Sequence, residues 1–362
     1  MAAGLRTKLV SWRPPRGFVA AWGVVLGTAV ICAGIVLGLL REPPPVAPAA
    51  EAASISLPPR IVSLKLPPRR TDFRVLPAAD REAMVETTPE GLRLPRVSPS
   101  GWMPWIAYSR RYPPEGPAAR VGLLMINLGA DEALMQRAID GLPADVSLAF
   151  LPGTPDLGRW MGRAHERGHE SYLMLPVEDP AGTVERGIRP IEASAEAAEN
   201  IRRLQAAMAR AEGYVGFVVP APGPVSRQEA LARPLVTEMA DRGLALIEIT
   251  PSPANSPLYQ LTAELGVGYA RSSTVLDYKL AGQDIAANLD RLLEWTSEGR
   301  SDRPRHDFGV LQPDSRSIDA IVAWHRRVTG QSSVALVPII GHFECREACM
   351  TRVRQQPDQL RP

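Results

Sequence analysis

The sequence predicts an α/β fold built on a parallel sheet, either a barrel or a doubly wound sheet. Three observations predict it. After Arg120 short apolar runs alternate with segments of helical spacing, and strands separated by helices pair in parallel. The runs number about seven or eight, the count of a barrel or a large open sheet. Hydrophobic residues make up 45% of the chain, enough to bury a sizeable core.

Taken in order, the expected strands are Val121 to Ile126, Val146 to Leu151, Ser171 to Leu175, Tyr214 to Val219, Leu244 to Ile249, Val267 to Ala270, Phe308 to Leu311 and Val334 to Ile340. Each is a short apolar run set between segments of helical period. The clearest helix spans Ser194 to Ala211. There Ala198, Ile201, Leu204, Ala207, Met208 and Ala211 recur at three- and four-residue steps with charged residues between them, so one face packs on the sheet. In either architecture chemistry belongs at the carboxyl ends of the strands.

The N-terminal part reads differently. Gly17 to Leu40 is a run of 24 residues without a charged side chain, long enough to cross a bilayer as a helix. Arg6, Lys8, Arg13 and Arg16 precede it with no acidic residue, whereas Arg41 and Glu42 cancel on its far side. That asymmetry keeps residues 1–16 cytoplasmic and predicts a single-pass inner-membrane protein with a periplasmic C-terminal domain. A cleavable signal peptide ending near Ala47-Pro48-Ala49 is the competing reading, and the length of the apolar run favours the anchor. Residues 41–100 repeat Pro43-Pro44-Pro45, Pro58-Pro59 and Pro67-Pro68 within a chain of 36 prolines, which predicts an extended linker. Residues 101–341 are read as the folded domain and 342–362 as a C-terminal tail. The stretch Gly101 to Tyr108 is too aromatic for linker and is expected to pack on the domain. A carbohydrate-stacking platform is its alternative reading.

Charge and cysteine content narrow the function. With 41 basic and 39 acidic side chains the formal charge is +2, so no cationic field is available for a nucleic-acid backbone and no nucleic acid is expected as a partner. Three cysteines exclude a disulfide-dense mini-protein, and five histidines limit what a metal site could recruit.

The strand ends carry a series of weak motifs. The first strand reads Gly122-Leu123-Leu124-Met125-Ile126-Asn127-Leu128-Gly129, the second leads to Leu151-Pro152, and the third gives Gly168-His169-Glu170-Ser171-Tyr172-Leu173-Met174-Leu175-Pro176-Val177-Glu178. Leu142-Pro143, Val215-Gly216, Ala240-Asp241-Arg242-Gly243-Leu244 and Val275-Leu276-Asp277 follow in order. From Trp102 to Ile340 this series resembles the divergent polysaccharide deacetylase family, its specificity lying in the order of the motifs. The resemblance implies a distorted (β/α) barrel of about seven strands, facing the envelope behind an N-terminal membrane segment. It also implies metal-assisted removal of an acetyl group. In that chemistry an aspartate and two histidines hold a divalent cation and a neighbouring aspartate is the base.

This chain departs from that pattern at each position that aligns. Ile126 and Asn127 stand where the family has paired aspartates; isoleucine accepts no proton, and a neutral amide is a poor substitute for a carboxylate ligand. Pro220, in Val218-Val219-Pro220-Ala221-Pro222-Gly223, replaces a histidine and brings no ligand atom. Gln312, in Val310-Leu311-Gln312-Pro313, replaces another. No catalytic residue, cofactor or metal is therefore expected. Asp131, Glu178, Glu248 and Asp277 lie at expected strand ends or the following loops, where a carboxylate pair would act as acid and base or bind a hydroxyl-rich ligand. Helix capping is the simpler role for Asp131.

Two further patterns are weighed. His165-Glu166-Arg167-Gly168-His169 matches the zinc-protease spacing, but Gly168 reads as a helix stop that separates the two histidines. Cys345 and Cys349 are spaced for a local disulfide on a helix, and an exported location permits oxidation. A metal site using His342, Cys345 and Cys349 lacks a fourth ligand, and two free thiols are the remaining option. The sequence thus points to a membrane-anchored pseudoenzyme of the cell envelope that binds an envelope glycan or an envelope protein. An active carbohydrate deacetylase with a non-standard residue set is the alternative.

Overall fold

The computed structural model describes residues 78–111, 119–178, 187–220, 223–250, 256–277, 284–298, 308–329 and 334–354. The expected membrane segment Gly17 to Leu40 and the proline repeats before residue 78 lie outside them. No helix among the described residues is long and apolar enough to cross a membrane.

Parallel strands alternate with helices: β3 (Ala119–Leu128), α3 (Glu132–Gly141), β4 (Ser147–Phe150), α4 (Leu157–Glu166), β5 (Ser171–Met174), α5 (Ala197–Met208), β6 (Gly216–Val219), α6 (Glu229–Asp241), β7 (Ala245–Ile249), α7 (Pro257–Leu265), β8 (Tyr269–Ser272), β9 (Thr274–Val275), α8 (Ile285–Ser297), β10 (Phe308–Leu311) and α9 (Ser315–Val328). The sheet runs β8-β7-β6-β5-β4-β3-β10-β9, with β11 (Val334–Leu336) also pairing β3. Every pairing in this sheet is parallel. The two ends of the path are joined, because β8 and β9 are one stretch of chain interrupted at Ser273. Its first half pairs with β7 and its second with β10. Ser272 fastens this change of partner, its hydroxyl donating to the Phe308 carbonyl at 2.5 Å and accepting from the Thr274 N–H at 3.0 Å. The result is a nearly closed, barrel-like parallel sheet inside a ring of helices.

Alternation along the strands sorts two cores. Leu124, Ala149, Tyr172, Val218, Ile247, Ala270 and Val310 face inward and form one cluster, while Leu123, Leu148, Leu173, Phe217, Leu246 and Leu311 pack outward against the helices. The strands are apolar on both faces because both are covered.

Segments before and after the barrel close its amino-terminal end. Ahead of β3 come α1 (Ala78–Ala83), an antiparallel pair β1 (Val85–Thr87) and β2 (Arg93–Pro95), and the short helix α2 (Pro104–Ala107). Trp102, Met103, Trp105 and Ile106 are buried in the inner cluster, and the Trp105 N–H donates to the Gly243 carbonyl at 3.0 Å. After β11 the chain makes a 3-10 turn, Ile339–His342, and ends the described part in α10 (Glu347–Arg354). Phe343 meets Trp105 with ring centroids 5.7 Å apart.

Three sequence-based boundaries are corrected. The fold begins before residue 101: Met84 and Leu94 are 1% and 0% exposed, so residues 78–100 belong to it despite their prolines. Residues 342–354 are no tail, since His342, Cys349 and Val353 are buried. The last expected strand is shorter than Val334 to Ile340, because Pro338 precedes the turn at Ile339 and cannot donate to a ladder. The aromatic segment Gly101 to Tyr108 is interior, which leaves no exposed stacking platform there.

Candidate functional site at the carboxyl rim

The carboxyl end of β3 sets the geometry. The register of β3 against β4 shifts between Met125 and Leu128, and Asn127 takes a left-handed backbone with φ of 58°. Asparagine is among the few side chains that tolerate this region. Ordinary alternation keeps Ile126, like Leu124, in the inner apolar cluster, and the irregularity sends the Asn127 side chain over the rim. There its Nδ2 donates to Gln312 Oε1 at 3.0 Å. Gln312 follows β10, and its backbone N–H donates to Asp277 Oδ2 at 2.5 Å. Three residues from three strand ends, Asn127, Asp277 and Gln312, thus form one polar chain.

The other expected residues stand apart from it. Pro220 ends β6 half-buried. Glu178 belongs to the loop after β5: its N–H donates to the Ile191 carbonyl at 2.9 Å and its Oε1 accepts from the Ala193 N–H at 3.1 Å. Asp131 caps α3 by accepting from the Leu134 N–H at 2.9 Å, the structural role expected for it. Glu248 is a correction. It lies on the helix-facing side of β7, 0% exposed, and its Oε2 accepts from the Tyr269 hydroxyl at 2.6 Å. Its inward neighbours are Ile247 and Ile249, so strand alternation excludes it from the cleft.

A divalent cation of the kind the family resemblance implies does not fit the described part of this rim. Among the described residues the donor set is the Asp277 carboxylate, whose Oδ2 already accepts from a backbone N–H, and two neutral amides bonded to each other. Ile126 and Pro220 add no ligand atom. Among the described residues no group of three or more histidine, cysteine, aspartate or glutamate side chains is placed to hold a metal ion.

Elsewhere, His169 is buried, its ring nitrogens 2.8 Å from the Val146 carbonyl and 3.0 Å from the Ile139 carbonyl. Burial holds its pKa below the ordinary imidazole value. It serves the floor of the barrel and does not pair with His165, which sits in the last turn of α4. Cys345 and Cys349 are joined by a disulfide with Cα atoms 5.2 Å apart. Sequence reasoning gave no role to Glu170, directly before β5 at the opposite end of the barrel. It is 0% exposed, and burial pushes its carboxyl pKa up to about 7. The only signal was an acid placed directly before an apolar strand.

A barrel-like parallel sheet with Asn127, Asp277 and Gln312 brought together from three strand ends at its carboxyl rim defines an α/β-barrel protein of the kind that places its site on strand-end loops. More particularly, the chain belongs to the divergent polysaccharide deacetylase family, whose model matches residues 124–340. It is similar in structure to an uncharacterized protein from Agrobacterium tumefaciens C58, with 26% sequence identity, a TM-score of 0.62, and coverage of 69% of this chain and 99% of that one. The catalytic domain of peptidoglycan N-acetylglucosamine deacetylase from Eubacterium rectale ATCC 33656 superposes more loosely. Its identity is 11% and its TM-score 0.37, over 65% of this chain and 94% of that one. Among curated proteins nothing matches.

Proposed function

We propose that this protein is a catalytically degenerate member of its family that binds an envelope glycan at the carboxyl rim without hydrolysing it. The observation that supports this reading is the Asn127–Gln312 hydrogen bond. The two residues stand where the family resemblance puts a carboxylate and a histidine, and they meet as neutral amides. Neither can supply a base or an anionic ligand. Amide and carboxylate groups can still exchange hydrogen bonds with sugar hydroxyls, and Asp277 adds a charged acceptor beside them. The apolar run Gly17 to Leu40 supports a single membrane anchor, which would hold the barrel on the periplasmic side.

The test incubates the full-length chain with acetylated glycans, with and without added divalent metal, and measures acetate release and glycan retention side by side. Retention without acetate supports the reading. Acetate release that falls on substitution of Asp277 or Glu178 would replace it with an active hydrolase using a different residue set. Capture of an envelope protein with no glycan retention would move the role to protein binding. Protease accessibility in spheroplasts tests the orientation separately.

A further inference from the structure

The least expected group in the barrel is Glu170, directly before β5 and fully buried. Its carboxylate gathers donors from four parts of the chain. Oε1 accepts from the Arg110 N–H at 2.9 Å. Oε2 accepts from the Ser147 hydroxyl at 3.0 Å, the Tyr172 hydroxyl at 3.0 Å and, more distantly, the Ile340 N–H at 3.4 Å. Ser147 in turn accepts from the Ile339 N–H at 3.1 Å. One side chain therefore joins the segment leading out of α2, strands β4 and β5, and the turn at Ile339–His342.

All four donors are neutral. The Arg110 guanidinium bonds Asp145 at 3.0 Å and the Gly168 carbonyl at 3.0 Å. The other titratable groups on the surrounding elements do not compensate a negative charge either. Tyr172 has its own pKa pushed up by burial and by Glu170. His169, whose pKa burial lowers, turns both ring nitrogens to backbone carbonyls. His342 packs its ring against Phe308, centroids 6.0 Å apart. The four donated hydrogen bonds favour the ionised carboxylate and hold its pKa down, but full burial outweighs them and favours the neutral acid, from which a Ser147 or Tyr172 hydroxyl can rotate to accept.

We infer that Glu170 is a proton-sensitive clasp that fastens the N-terminal cover and the C-terminal turn to the floor of the barrel, closed when protonated and loosened when ionised. The direction follows from linkage. Burial raises the folded-state pKa from 4.5 to about 7, so the native protein holds this proton more tightly than the unfolded chain. The stabilisation is fully present below about 4.5 and is lost as pH rises to about 7. Local opening at the floor, which hydrates the carboxylate, becomes easier over the same interval.

The experiment compares denaturant unfolding of the full-length chain and its Glu170→Gln variant from about pH 4 to about pH 8. The difference in stability between the two is expected to shift toward the variant as pH rises through that interval; a difference that stays constant overturns the proposal. Should the variant not fold, the Glu170 carboxyl is titrated directly in the native protein by carbon-13 NMR. A midpoint near 7 supports the clasp, and one at or below 4.5 overturns it. Hydrogen exchange of the Arg110 and Ile340 amides separates a clasp from a passive filler. Their protection should fall together through the titration of Glu170, and protection that ignores it is the contrary result.

Discussion

The Asn127 side chain donates to Gln312 at 3.0 Å across a sequence separation of 185 residues. That bond ties the end of β3 to the end of β10 at the rim, and Asp277 extends it through the Gln312 backbone. Both amides are thereby oriented. The side-chain oxygen of Asn127 and the amide nitrogen of Gln312, an acceptor and a donor not used in that bond, are groups of the kind a sugar hydroxyl takes.

Substituting Gln312→Ala should weaken glycan retention about tenfold, the effect of losing on the order of 1.4 kcal/mol of hydrogen bonding at an exposed site. The unfolding midpoint should scarcely move, because Gln312 is exposed. Glycan affinity electrophoresis together with a thermal melt checks both halves. A large loss of stability with unchanged retention would assign the pair to structure alone.

Glu248 should behave in the opposite way. Tyr269→Phe removes the hydroxyl that donates to its Oε2, leaving a buried carboxylate oxygen without that donor, at a cost of about 2 kcal/mol. Because the residue faces the helices, glycan retention should stay as in the parent protein. Denaturant unfolding and the retention assay, run on the same preparation, distinguish this from a role in the cleft.

The contrast between these residues marks how far the sequence reaches. Strand positions were legible because short apolar runs alternate with helical spacing, and the Asn127 and Gln312 rim positions were legible because motifs appear in order along the chain. The facing of Glu248 was not, since a strand covered on both sides is apolar at odd and even positions alike and its parity is hidden. Residues 78–100 read as linker in the sequence because their prolines mask a short β-pair, in and beside which the buried apolar side chains are Leu94 and Met84. Glu170 was invisible for a different reason. Its donors Arg110, Ser147, Tyr172 and Ile340 converge only after the barrel closes.

His169 should impose a pH slope opposite to that of Glu170. Its folded-state pKa is lowered, chiefly by burial, so protonation favours the unfolded chain. Its contribution to stability is present above the ordinary value of 6.5 and is lost as pH falls below it. The two neighbours therefore partly cancel in the native protein. A His169→Gln variant should lose the acid-side decline while retaining the Glu170 component, which paired unfolding profiles will reveal.

Opening the Cys345–Cys349 disulfide should release α10 before the barrel. The closed loop is short, so the chain-entropy estimate for Cys345→Ser with Cys349→Ser is on the order of 2 kcal/mol. Arg352, bonded to the carbonyls of Ala240 at 2.8 Å and Leu265 at 3.2 Å, still anchors the helix to its neighbours. Hydrogen exchange should show faster exchange confined to residues 344–354; uniform acceleration through β3 to β10 would mean that the bridge holds the whole fold.

Gly216 offers the sharpest structural prediction. A Cβ built there would lie 2.0 Å from the Ala245 carbonyl oxygen and 2.6 Å from its carbon, on the partner strand with which Gly216 is in register. These are backbone atoms, which cannot swing aside as the end of a flexible side chain can. Gly216→Ala must therefore push β6 from β7 or distort both, at a cost of about 3 kcal/mol. By comparison Gly158, on the helix α4, has nothing within 4 Å of its added Cβ, and its replacement by alanine should stabilise by about 0.5 kcal/mol through helix propensity. Opposite shifts in unfolding midpoint for the two substitutions would test the β6–β7 registration; two shifts of the same sign and size would show that the strands yield.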